Sequence, residues 1–169
     1  NKAKKYMQDD PPIESHVRKG LQSVGIAYEG RVVIRHPLDV IINDIGLDAV
    51  AKKVKEPLAG LKIASYYGCH MVRPFATFDV NHGPTTMDRI MKTLGAAPVD
   101  WPLKTRCCGG TLTGTVAEVG TRLSYILLKE ALRRGAQSVA TACPLCQFNL
   151  ECYQHTISKR FKDPVNIPV

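Results

Sequence analysis

Six cysteines, Cys69, Cys107, Cys108, Cys143, Cys146 and Cys152, all lie in the second part of a 169-residue chain. Five of them form a pattern suited to metal or redox chemistry: a single Cys, an adjacent Cys pair followed by Gly109-Gly110, and a C-x-x-C. Cys143 and Cys146 stand three residues apart, which puts both thiols on one face of a helix start. Free N–H groups and the positive end of the helix dipole favour a thiolate there. The glycines after the Cys pair let backbone approach a bulky ligand closely. Zinc and a cubane iron–sulfur cluster each take four cysteines. Five converging thiols therefore leave one spare or call for a cofactor with more than four thiolates. Neighbouring thiols in Cys107-Cys108 fit bridging of different metal atoms better than closure around one ion, so the spacing favours a multi-iron cluster over zinc. Five buried free cysteines is the remaining reading. Cys152 lies six residues past Cys146, about 9 Å along a helix, and shares a face with Leu145 and Phe148 rather than Cys146. It is expected to be a small buried hydrophobe.

Those thiols need elements to carry them together. Apolar spacing predicts a helix over residues 13–24, stopped by Gly25, after a turn-like break at Asp9-Asp10-Pro11-Pro12. Val32-Val33-Ile34 is a short β-prone run. Further helices are expected over 37–45, with Pro37 in the first turn and Gly46 as breaker, and over 47–54, ended by Pro57. From there strands and helices alternate: a strand at 61–67, a helix at 85–94 capped by Thr85 or Thr86 and stopped by Gly95, and a short strand at 98–101. The strongest helix follows at 116–134, then a strand at 138–141 and a helix from Pro144 to about residue 158. This alternation predicts an α/β fold, a mainly parallel sheet flanked by helices. Ligands of open α/β sheets bind beyond the carboxyl ends of the strands. Cys69 follows one strand, Cys143 another, and Cys107-Cys108 the loop after Trp101, so the three groups should meet at one sheet edge. Asn166-Ile-Pro-Val169 reads as the start of a further strand, with more protein expected to follow. The start, which lacks Met, reads as that of a fragment or processed chain. The expected organisation is an N-terminal helical or connecting segment, 1–60, packing on a domain at 61–169 that is truncated at its C-terminus.

The formal net charge is +8, yet Lys and Arg are spread along the chain with few aromatics between them. That argues against nucleic acid and for a solvated basic surface or an acidic protein partner. No apolar run reaches the roughly 18–20 residues of a membrane helix. The first residues carry basic groups with no apolar core behind them and do not read as a signal peptide. Clustered thiols without a secretory signal argue for a cytoplasmic setting and against a disulfide framework. His16, His36, His82 and His155 have no cysteine neighbours and read as ordinary surface or packing residues.

Tyr66-Tyr67-Gly68-Cys69, Val72-Arg73-Pro74, the run from Pro102 to Cys107-Cys108-Gly109-Gly110, and Ala142-Cys143-Pro144-Leu145-Cys146-Gln147-Phe148-Asn149-Leu150 resemble the cysteine-rich CCG domain found in the B subunit of heterodisulfide reductase. The gaps between the cysteine groups are 37 and 34 residues, and the likeness runs from about Val32 to Leu150. It implies a Rossmann-like CCG domain with a non-cubane [4Fe–4S] cluster on Cys69, Cys107, Cys108, Cys143 and Cys146. It also implies an oxidoreductase that reduces or forms a disulfide of a thiol substrate. The expected partners are the cubane iron–sulfur subunit of such a complex, with its flavin subunit. The family's full-length chain usually carries two such motifs; this chain has one, matching the second by context, and no cysteine in its first 60 residues. Within that chemistry His70, beside Cys69, is the candidate proton donor to the departing thiolate. Its other reading is a hydrogen bond to a cluster sulfur or the backbone. Arg73 and Lys104 are candidate binders of an anionic substrate, or else charges facing a partner. Three other functions fit the motif: a non-catalytic electron-transfer module, a structural zinc domain, and an iron–sulfur subunit of a hydroxy-acid or succinate oxidoreductase.

Overall fold

A computed structural model describes residues 2–169. They form two compact units, one ending at Val40 and one spanning Ile41–Val169.

In the first unit, helix α1 (Lys2–Asp9) gives way to α2 (Pro11–Ser23) at Asp10, whose extended backbone breaks the helix and whose carboxylate accepts the Ile13 N–H at 3.1 Å. The Asp-Asp-Pro-Pro break is thus a change of helix. Lys4 and Arg18 hold the chain that follows by donating to the carbonyls of Gly30 and Tyr28. Gly25, at φ +75°, ends α2 as expected. Val32-Val33-Ile34 is not a strand, and all three side chains are exposed. β-propensity reflects packing on a pleated, half-buried surface, and exposed side chains supply none of it. Helix α3 (Pro37–Val40) starts at Pro37, as its fixed φ favours.

The second unit opens with a π-helical turn, Ile41–Ile45, ended by Gly46 at φ +81°. A short α4 (Leu47–Ala51) follows, three residues shorter than its apolar pattern. Residues 41–60 group with the sheet that follows them: Leu58 N–H donates to the Leu94 carbonyl, and Pro57 lies against Gly95.

Strand β1 (Lys62–Tyr66) is the centre of a three-stranded parallel sheet. Helix α5 (Thr86–Thr93) leads to β2 (Ala97–Pro98), which pairs with β1 through Lys62↔Ala97 and Ile63↔Pro98. The N-terminus of α5 is capped by neither threonine side chain. The Asp79 carboxylate accepts the Thr85 and Thr86 N–H groups at 3.1 and 2.8 Å. The β2 strand lies slightly earlier than its expected place, because Trp101 turns inward to donate its indole N–H to the Ser65 carbonyl. A short α6 (Leu112–Thr115), not apparent in the apolar pattern, precedes the long α7 (Ala117–Arg133). Strand β3 (Ser138–Thr141) lies on the other side of β1, from Ile63↔Ser138 to Tyr66↔Thr141.

The last helical stretch is two helices, α8 (Pro144–Glu151) and α9 (Gln154–Phe161). The break falls at Cys152-Tyr153 and leaves Cys152 exposed, which corrects the expectation that it is buried. Leu145 and Phe148 share its helix face, and that face too is exposed. Past α9 the chain returns alongside β3. Pro168 accepts the Val139 N–H at 2.8 Å, and Gln154 holds Ile167 by both its amide groups. This segment lies against the sheet without forming a regular strand.

The core lies between the sheet and α7, α8 and α9. Ala64, Tyr66, Trp101, Leu128, Val139, Leu150 and Ile157 are buried in it. Each fully buried Leu or Ile contributes about 1.5–3 kcal/mol. That packing places the carboxyl ends of the strands, and the loops leaving them.

Candidate metal centre

The carboxyl end of β1 runs Tyr66-Tyr67-Gly68-Cys69. Gly68 takes φ +66°, and a Cβ there would stand 3.3 Å from the Cys146 sulfur, so glycine makes both the turn and the space. The N–H groups of Tyr67 and Gly68 donate to the Lys104 carbonyl at 2.8 and 3.1 Å, and the Tyr66 hydroxyl donates to the Arg106 carbonyl at 2.6 Å. These bonds fasten the loop bearing Cys69 to the loop bearing Cys107 and Cys108.

The Cys-Cys-Gly loop is seated on α7 by close backbone approach. A Cβ on Gly109, at φ +105°, would fall 2.9 Å from the Gly120 Cα, and one on Gly120 would fall 2.4 Å from the Thr113 Cα. The Ser124 hydroxyl donates to the Cys108 carbonyl at 2.8 Å. The Gly109 N–H reaches the Cys107 sulfur at 3.3 Å. From β3, Cys143 caps α8 and Cys146 lies in its first turn.

All five expected cysteines therefore gather at the carboxyl edge of the sheet. The sulfurs of Cys108 and Cys146 are 3.6 Å apart. Cys69 and Cys107 are close enough to influence each other's titration, as are Cys146 and Cys143. Cys108 and Cys146 are buried at 3% and 7% exposure, whereas Cys69, Cys107 and Cys143 are half-buried. The gathering thus has a closed side and an open side. Cys152, exposed at the end of α8, stands apart from this set.

The electrostatics divide the buried pair. The Cys108 thiol is pulled down to about 5, first by its hydrogen bond with Cys146, against the opposing effect of burial, with further help from the Gly110 backbone and Asn149. Cys146 is pushed up by the same bond, by burial and by charge on Cys108. Burial and charge on Cys107 push Cys69 up. Tyr66 is pushed up by burial and then by charge on Cys108, Cys146, Cys107 and Cys69, which marks it as neighbour to the whole group. Deprotonating several of these thiols at once needs cationic compensation, which a metal centre supplies.

Among the described residues, no group of three or more His, Cys, Asp or Glu is placed to hold a metal ion. The five thiols run instead as linked pairs. Their number, their paired arrangement and the glycine-lined space beside Cys146 fit a polynuclear cluster better than a single ion.

The other expected site residues lie around this centre. His70 directly follows Cys69, and both His70 and Arg73 are exposed. Lys104 is half-buried, with its ammonium 3.2 Å from the Asp88 carboxylate and over the Tyr67 ring at 5.7 Å. Tyr67 donates to the same carboxylate at 2.6 Å. Two buried polar residues that spacing does not flag, Ser124 and Asn149, bind the Cys-Cys-Gly loop.

A family model described as cysteine-rich domain (CCG) matches residues 63–151. The 8-methylmenaquinol:fumarate reductase membrane anchor subunit of Wolinella succinogenes is 31% identical over 159 residues, 93% of this chain and 54% of that protein. The B subunit of the ferredoxin/F(420)H(2)-dependent CoB-CoM heterodisulfide reductase of Methanosarcina acetivorans is 27% identical over 170 residues, 96% of this chain and 55% of the relative. A protein of Archaeoglobus profundus, described as like the heterodisulfide reductase B subunit, is 27% identical over 178 residues, 58% of its length. The chain spans about half the length of these relatives. No helix among the described residues is long and apolar enough to cross a membrane.

Proposed function

Since the chain belongs to the cysteine-rich CCG domain family, we propose that it holds a non-cubane [4Fe–4S] cluster and is part of the disulfide-converting B subunit in a cytoplasmic heterodisulfide reductase-like complex. The observation that carries this reading is the meeting of five thiols, from three separate segments, at one sheet edge. Cys69, Cys107, Cys108, Cys143 and Cys146 would hold the cluster. When bound, it supplies one-electron chemistry for reducing or forming a disulfide. Five thiols exceed what zinc takes, and their paired arrangement favours several metal atoms over one.

The chain's own residues do the rest. Cys108 and Cys146 form the closed side, where burial keeps water away. The half-buried Cys69, Cys107 and Cys143 form the side open to a thiol or disulfide. His70, exposed next to Cys69, delivers a proton to the departing thiolate. Arg73, also exposed, attracts an anionic substrate. Lys104 points its ammonium at Asp88, so its charge is shared with that carboxylate. The Lys104 carbonyl meanwhile fastens the Cys69 loop. Electrons arrive from a partner that carries cubane iron–sulfur clusters, and a flavin-bearing partner completes the complex.

A second reading comes from the 31% identical fumarate reductase relative. In it the same cluster only relays electrons within a quinol-linked oxidoreductase and no thiol binds.

The test is protein purified without oxygen and assayed for iron, acid-labile sulfide and zinc per chain, with its visible and EPR spectra recorded with and without thiol. About four irons with matching sulfide support the cluster. A thiol-dependent spectral change supports heterodisulfide chemistry, and its absence supports the relay. One zinc and no iron overturns both.

A further inference from the structure

Asn149 is 1% exposed and lies one turn beyond Cys146 on the same face of α8. Its amide nitrogen is 2.8 Å from the Gly110 carbonyl and 3.5 Å from the Cys108 sulfur. One amide group thus has its two N–H bonds directed at the Cys-Cys-Gly loop, one to backbone and one to a ligand sulfur. Ser124 holds the same loop from α7, but through the Cys108 carbonyl, without touching sulfur. Helix interiors seldom bury an asparagine, whose amide must find partners there. Its partners here are a candidate ligand and the loop that presents it.

On the reading that the five cysteines hold an iron–sulfur cluster, we infer that Asn149 is a tuning residue, donating an N–H to the Cys108 sulfur and raising the cluster's reduction potential. The physical reason is charge. Reduction adds an electron to a centre already surrounded by thiolates. A donor hydrogen bond to a ligand sulfur withdraws some of that density and favours the reduced form more than the oxidised one. Hydrogen bonding to sulfur is among the factors that set such potentials. Asn149 does this without a formal charge, so it adds no titrating group to the buried side. Gln147, two residues earlier, is exposed and bonded to Glu151, and so has no such role.

The experiment compares wild-type protein with Asn149→Leu, Ser124→Ala and Gln147→Leu, all prepared without oxygen. Iron and sulfide content are measured first, then the midpoint potential by an EPR-monitored titration. The expected result is that Asn149→Leu retains iron while its potential shifts negative. Gln147→Leu matches wild type, and Ser124→Ala shifts less than Asn149→Leu although it also loosens the loop. An unchanged potential in iron-replete Asn149→Leu overturns the inference, as does an equal shift in Ser124→Ala. Should Asn149→Leu fail to fold or to hold iron, wild-type protein labelled with 15N-asparagine decides by pulsed EPR. Hyperfine coupling to an asparagine nitrogen supports the bond, and its absence overturns it. Wild-type protein with zinc and no iron overturns the cluster reading itself, and the inference with it.

Discussion

Cys108 and Cys152 make opposite predictions for the same substitution. Cys108 is buried and touches Cys146 and Asn149. Cys108→Ser is expected to lose most of the bound iron, read as iron per chain after anaerobic purification. Cys152→Ser, at an exposed helix end, is expected to keep wild-type iron. Gly109 is a third residue with a definite consequence. At φ +105°, and with a Cβ position 2.9 Å from the Gly120 backbone, it tolerates no side chain. Gly109→Ala is expected to cost about 1–3 kcal/mol, measured by urea unfolding, and to weaken iron retention because the same loop carries Cys107 and Cys108. The cysteines were legible from spacing alone. Asn149 and Ser124 were not: each is one polar residue in a helix, and only its burial against the loop gives it a role.

At the scale of elements, the long α7 is tied to the turn after α9 by Asp163, which accepts from Tyr125 at 2.7 Å and Lys129 at 2.9 Å. Lys129 first, and then Tyr125, hold the Asp163 carboxyl below the usual carboxylate range. A depressed carboxyl stabilises the fold above its unfolded value of about 3.9. That contribution is lost as pH falls through the folded value. Asp163→Asn is therefore expected to lower Tm at pH 7, with the gap to wild type closing as the medium is acidified through the carboxylate range. Thermal melts of both proteins across that range check the sign. The strand at 138–141 and the core of α7 were readable because apolar period and glycine stops agree there. The α8–α9 break was not, since no Gly or Pro marks it. Nor was the Asp79 cap of α5, because its carboxylate reaches across six and seven residues.

For the molecule as a whole, the sheet and its flanking helices bring three loops to one edge, and a cluster joining them would bind the folded state only. Linkage then ties metal content to stability. A ligand present at a hundred times its dissociation constant stabilises by about 2.7 kcal/mol. For a domain of this size that corresponds to roughly 5–10 °C in Tm. Stripping the iron anaerobically with a chelator is expected to lower Tm by about that much. Reconstitution should restore it. An unchanged Tm after complete iron removal would separate the thiol cluster from the stability of the fold.

The chain's residues alone determined the five cysteines that meet, the α/β alternation and the side of the sheet on which the thiols meet, because these follow from local period and from the order of strands and loops. Tertiary structure alone decided which thiols are buried and what holds them. For Lys104 the sequence offered substrate or partner contact, and only the fold shows Asp88, sixteen residues away, beside its ammonium. Cys152 was placed inside by helix arithmetic and outside by a bend between two helices. Both outcomes depend on contacts between segments distant in the chain, and neither hydrophobic period nor cysteine spacing carries that information.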